Sequence, residues 1–234
     1  MEKKFSTKVL AEIAIFAAIA FALDALQAGI WRGVWLAGGS IGFAMVPIFI
    51  IAYRRGFLPG FLCGFIVSIV QMLGGVYAIN GSSFDNPFMQ AMGPFFQIML
   101  DYVLAYTCVG LAGAFAGLFH KSTDKKNQTI WIIVGTVVAG LLKYLCHVLS
   151  GGWFWLNQGG SFWGVNDSSW LYSIVYNGAF MIPNIIICTA ITVSINVINP
   201  AFLNPTLGVQ ASELEEENTK EEANQDLEEK VNEK

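Results

Sequence analysis

The sequence predicts an all-α integral membrane protein with six transmembrane helices. Three observations carry that prediction. The chain of 234 residues is 55% hydrophobic and only 13% charged, where a soluble domain has about one quarter charged residues. Its mean hydropathy is +0.55. The apolar residues also fall into blocks of spanning length from Ile13 to Ala201, whereas the last stretch, "SELEEENTKEEANQDLEEKVNEK", is almost entirely polar. Residues 1–200 therefore read as a membrane body and 201–234 as an acidic, solvated, disordered tail. The formal net charge of -4 comes largely from that tail.

A spanning helix needs about 20 mostly apolar residues. Six such segments lie at approximately 8–28, 39–53, 57–75, 96–118, 129–149 and 171–197. The first begins after "MEKK". Its apolar run is long and lacks a cleavage site, so it reads as a retained helix rather than a signal peptide. The second is short, and it meets the third across only "RRG", as a tight hairpin. Basic residues set the expected orientation. Lys3, Lys4 and Lys8 precede the first helix, Arg54 and Arg55 lie between the second and third, and Lys121, Lys125 and Lys126 lie between the fourth and fifth. These places share one side in a six-helix chain, so both termini are expected in the cytoplasm. The opposite loops carry only Arg32.

Those outer loops hold six of the seven tryptophans: Trp31, Trp35, Trp153, Trp155, Trp163 and Trp170. An interfacial belt would place tryptophan at both membrane surfaces. The one-sided excess points to an aromatic-lined outer site beyond a belt. Ionisable groups inside spans cost several kcal/mol and mark function. Asp24, Asp101, Lys143 and His147 are such groups, and at 1.5 Å per residue all four fall in the outer half of the membrane. Lys143, His147 and Gly151 recur every four residues and share a helix face, with Trp155 one turn further. Gly151 and Gly152 are also candidates to end that helix. Lys143 is expected to pair with Asp24 or Asp101 or to snorkel outward.

In "YSIVYNGAF", Tyr172 and Tyr176 share a face while Asn177 is offset by about 140° from Tyr172. Tyr176 reads as core. In the first helix, Ala14, Ala18 and Ala22 form a stripe of small residues on which another helix can pack closely; packing within the body is the alternative. The four cysteines, Cys63, Cys108, Cys146 and Cys188, show no CxxC spacing and read as small packed hydrophobes. His147 has no partner at metal-ligand spacing, so no metal is expected.

The segments "GGSIGFAMVPIFIIAYRRGFLPG", "MLGGVYAI", "QIMLDYVLAYTCVGLAG", "KYLCHVLSGGWFW" and "YSIVYNGAFMIPN" resemble the thiamin-specific substrate-binding subunit (S component) of energy-coupling factor (ECF) vitamin transporters, the ThiT/YuaJ family. The resemblance runs in order from about residue 8 to 200 and implies the ECF S-component fold. It implies thiamin as ligand near the outer face, no cofactor and no catalytic residue. It implies as partners membrane lipid, an EcfT-type transmembrane coupling subunit and two cytoplasmic ATPase subunits, which the alanine stripe at Ala14, Ala18 and Ala22 would help to dock. No nucleic-acid partner is expected.

The substrate-binding residues the resemblance implies are Trp35, Tyr77, Asp101, Tyr102, His147, Gly151, Trp155, Tyr172 and Asn177. Two departures stand out. Asp101 replaces the family's usual glutamate, so it is shorter and would need a water to reach the ligand. The stretch 78–94 is an insertion that would form a larger lid. Thiamin suits such residues: its thiazolium cation seeks a carboxylate and aromatic faces, and its rings seek stacking partners. The same fold for another vitamin, such as riboflavin or a pyridine vitamin, is one alternative. A self-sufficient secondary transporter is another, but no internal repeat is visible. An intramembrane enzyme would need a nucleophile–base pair or paired metal ligands, and the only two histidines, His120 and His147, fall at opposite ends of the body.

Overall fold

The computed structural model describes residues 6–31, 34, 39–156, 161–168 and 170–205. Six helices form the body: α1 (Thr7–Ile30), α2 (Val46–Arg55), α3 (Phe57–Leu73), α4 (Pro87–Lys121), α5 (Lys125–Phe154) and α6 (Trp170–Ile198). A short turn, α7 (Pro200–Leu203), follows α6 and buries Leu203 completely, so the core reaches past residue 200. Between α5 and α6 lies a small antiparallel hairpin, β1 (Ser161–Phe162) and β2 (Val165–Asn166). Its two-residue turn places both Trp163 and Gly164 at positive φ, 49° and 77°, as the twist of a tight hairpin demands.

Helices α1, α4, α5 and α6 are long and apolar enough to cross a bilayer. The 17 residues of α3 are at the lower limit of about 17–25 for a span. Helix α2 is shorter than the predicted 39–53: its 10 residues rise about 15 Å, roughly half a hydrocarbon core. It is the centre of the bundle. Val46 to Tyr53 are all buried, with Ile48, Phe49, Ile51, Ala52 and Tyr53 fully enclosed.

The chain entering α2 is non-helical yet mostly inside protein. Backbone groups there must find partners, because hydrocarbon supplies none. Two side-chain amides provide them. Gln27 on α1 donates to Ser40 Oγ (2.9 Å) and accepts from the Ala44 N–H (3.2 Å). Asn184 on α6 accepts from the Gly42 N–H (2.6 Å) and donates to the Ser40 carbonyl (2.7 Å).

Helices α3 and α4 touch through glycines. Gly56, Gly60 and Gly64 recur every fourth residue at the start of α3 and meet Gly110, Gly113 and the Tyr106 carbonyl of α4. A Cβ at Gly60 would come within 2.7 Å of the Gly110 carbonyl oxygen. This small-xxx-small spacing lets backbones approach closely. Helix α4 is also the irregular one. It carries Pro94, a π-helical turn over Met99–Leu104 and a 3₁₀ segment over Gly110–Phe115. The stretch 78–94, expected to be a lid, is a 3₁₀ turn (Gly81–Ser83) followed by the first two turns of α4.

Candidate substrate-binding site

The π-helical turn of α4 carries Asp101, and such turns recur at functional sites because they re-aim side chains. Asp101 is the hub of the site. Its Oδ2 accepts from Gln97 Nε2 (2.8 Å), Ser150 Oγ (2.6 Å) and Trp155 Nε1 (3.2 Å). Its Oδ1 pairs with His147 Nδ1 at 3.0 Å. Since a carboxylate only accepts, Nδ1 bears the proton in this bond. A carboxylate has about four acceptor positions, so the protein itself occupies nearly all of them.

The predicted residues Asp101, His147 and Trp155 are thus brought into direct contact. Tyr77 and Tyr102 join them indirectly: the Tyr77 N–H donates to Tyr102 Oη (2.6 Å), and Gln97 links that pair to Asp101 by donating also to the Tyr77 carbonyl (3.1 Å). Gln97 Oε1 accepts from the Ile79 N–H (3.4 Å). Gln97 and Ser150, both fully buried, were not among the predicted site residues. The available signal was their spacing, since Gln97 lies four residues before Asp101 and Ser150 three after His147.

The remaining predicted residues lie around this hub. Helix α5 does not end at its glycines; it continues to Phe154, and the Trp155 N–H caps it on the Gly151 carbonyl (3.1 Å). The glycines serve contact with α6 instead. A Cβ at Gly151 would strike the Ser173 side chain, and one at Gly152 the Trp170 ring. Asn177 secures the same seam by donating to the Ser173 carbonyl (2.9 Å) and the His147 carbonyl (3.2 Å). Tyr172 stacks on Tyr176, with centroids 5.6 Å apart and planes at 19°. Tyr176 is buried, as expected of core, and touches Phe180, which meets the His147 ring edge-on at 5.9 Å. An aromatic column on α6 therefore leads from Tyr172 to the hub. Trp35 lies outside the described residues.

Asp24 and Lys143 form a second polar network, separate from Asp101. Asp24 accepts from Gln71 Nε2 (2.7 Å), Gln27 Nε2 (3.4 Å) and the Tyr106 hydroxyl. The Lys143 ammonium sits 3.4 Å from the centroid of the same Tyr106 ring. Lys143 and Asp24 are both buried. Lysine and acid are thus bridged by an aromatic ring rather than paired directly: among the described residues no carboxylate oxygen lies within 4 Å of Nζ. On α1, Ala14, Ala18 and Ala22 all face outward, while Ile13, Ala17, Ala20, Asp24 and Gln27 face the body.

Residues 10–204 match the family described as thiamine transporter protein (Thia_YuaJ). The chain belongs to that family. Among curated relatives, Thiamine transporter ThiT of Bacillus subtilis (strain 168) is 31% identical over 201 residues, which cover 83% of this chain and 93% of the relative. Thiamine transporter ThiT of Lacticaseibacillus paracasei is 28% identical over 181 residues, 76% of this chain and 81% of that one. A solved structure of ThiT from Listeria monocytogenes superposes with a TM-score of 0.61 at 24% identity, covering 85% of this chain and 98% of that one. The last likeness establishes the shared fold. Thia_YuaJ membership, together with four helices of spanning length among the described residues, makes this a multi-pass membrane protein of an all-α S-component fold. The family is one of transporters, not enzymes.

Proposed function

We propose that the chain is the high-affinity thiamin-binding membrane subunit of an ECF-type ABC transporter. It captures vitamin B1 at the extracellular face and delivers it inward when docked on a coupling subunit and its two ATPases. The observation that carries the ligand is the Asp101 hub, one half-buried acid ringed by His147, Trp155 and the aromatic column of α6. A carboxylate and aromatic faces stabilise a thiazolium cation out of water, and a half-satisfied imidazole and amides suit the edge of an aminopyrimidine. The thiamine-transporter names of the relatives support the same ligand.

Orientation follows from charge. Lys8, Arg54, Arg55, Lys121, Lys125 and Lys126 lie at the ends of α1 to α5 opposite the Asp101 hub, and basic ends stay in the cytoplasm. Arg54 and Arg55 bind Glu12 of α1 there, at 3.3 and 2.6 Å, which fixes α1 against the bundle and leaves its alanine stripe outward. That exposed stripe suits close approach of a coupling helix.

The test is a titration of the purified protein, refolded to strip co-purified vitamin, with thiamin and with riboflavin, following tryptophan fluorescence. Saturable quenching by thiamin alone, lost in Asp101→Ala, is expected. A folded protein indifferent to thiamin refutes the reading.

A further inference from the structure

Cys108 on α4 and Cys146 on α5 face each other with sulfurs 4.0 Å apart. Sequence spacing gave no hint of this, since 38 residues separate them. Their surroundings differ from those of Cys63 and Cys188, which are both fully enclosed. Cys108 is half-buried. Leu104, one turn before it on α4, and Leu145, beside Cys146 on α5, are 42% and 48% exposed. Cys146 itself is buried, so Cys108 is the thiol at the mouth of a seam that opens onto the apolar flank of the molecule, within reach of compounds dissolved in lipid, with Cys146 behind it.

We infer that Cys108 and Cys146 are a redox modification site, oxidised to a disulfide by a membrane-dissolved hydroperoxide. One thiol attacks the hydroperoxide's outer oxygen; the O–O bond breaks, the alcohol leaves and a sulfenic acid remains. The second thiol then displaces the sulfenic hydroxyl as water and the S–S bond forms. Two thiols and one hydroperoxide thus become one disulfide, one alcohol and one water.

The geometry permits this with local movement. A disulfide needs sulfurs about 2 Å apart, so the pair must close by about 2 Å. Rotation of the two side chains provides part of that. Helix α4 provides the rest, because Cys108 sits in a five-residue α-helical stretch (Ala105–Val109) between its π-helical and 3₁₀ segments. Cys146 is next in sequence to His147, which together with Ser150 bonds Asp101 across these same two helices. A covalent bridge here holds α4 to α5 beside the site. Given the thiamin-binding reading, it slows ligand exchange; formation of the bridge does not depend on that reading.

The experiment treats the full-length protein in lipid nanodiscs with cumene hydroperoxide. Cross-links are mapped by non-reducing peptide mass spectrometry, and thiamin dissociation is followed by fluorescence. The expected result is a Cys108–Cys146 cross-link, reversed by dithiothreitol and missing in Cys108→Ser, with dissociation slowed at least tenfold. A cross-link that forms only after unfolding in detergent, or oxidation without any cross-link, overturns the modification site. A cross-link with unchanged dissociation overturns the effect on exchange. If reduced protein fails to bind thiamin, the functional reading falls, and the mapping still decides the site.

Discussion

Replacing Gln97 with methionine tests whether the hub is organised from behind. The side chains are similar in volume, so the core stays filled. Three hydrogen bonds vanish: to Asp101 Oδ2 (2.8 Å), to the Tyr77 carbonyl (3.1 Å) and from the Ile79 N–H (3.4 Å). The bond to the carboxylate contributes about 1.5–3 kcal/mol. Tyr77 is 62% exposed, so its freed carbonyl finds water. Ile79 is 5% exposed, so its N–H is stranded at a cost of about 1–3 kcal/mol. The total loss is therefore about 2.5–6 kcal/mol of local organisation. Asp101 keeps His147, Ser150 and Trp155, so the site loosens without collapsing. We expect about 1.4–2.8 kcal/mol of the loss to appear in binding, a 10–100-fold rise in thiamin Kd, and the remainder as a lower Tm. Fluorescence titration and thermal unfolding in detergent measure the two. A lower Tm with Kd within twofold of wild type would refute the reasoning, because Gln97 would then stabilise the fold without ordering the site.

Three other perturbations probe the frame. Asp24→Asn and Lys143→Met each leave a buried partner uncompensated and should cost about 3–5 kcal/mol; the double variant should lose less than the sum, and additive Tm shifts would show that Tyr106 does not couple the two. Gly110→Ala should lower stability by about 1–3 kcal/mol, because its Cβ meets the rigid Gly60 and Phe61 backbone, whereas Gly117→Ala on the same helix meets open space and should be neutral; equal effects in thermal unfolding would discount the glycine seam. Ala18→Trp and Ala22→Trp should leave thiamin binding intact and stop uptake in cells expressing the whole transporter, and normal uptake would remove the docking role from α1.

What could be read from the chain alone was whatever depends on local composition and spacing. Apolar blocks of spanning length mark helices because every backbone group must be satisfied within the segment in lipid. An acid and a histidine inside such blocks mark a site because their burial is costly, and Asp101, His147 and Trp155 do meet. The same local reading missed the π-helical turn that aims Asp101. It also left Gly151 and Gly152 as candidates to end α5, whereas the helix runs on to Phe154 and the two glycines admit Ser173 and Trp170. Gln97, Ser150, Gln27 and Asn184 were passed over as ordinary polar residues. Their partners come from other turns or other helices, and only packing brings them together. Lys143 shows the limit most clearly. Its charge was visible in the sequence, but its partner is the face of Tyr106, 37 residues away, and that ring's hydroxyl reaches Asp24 on a third helix. Hydrophobic spacing is a one-dimensional property of a helix, whereas the match of a donor to an acceptor across a bundle depends on which faces meet, and that only the tertiary structure decides.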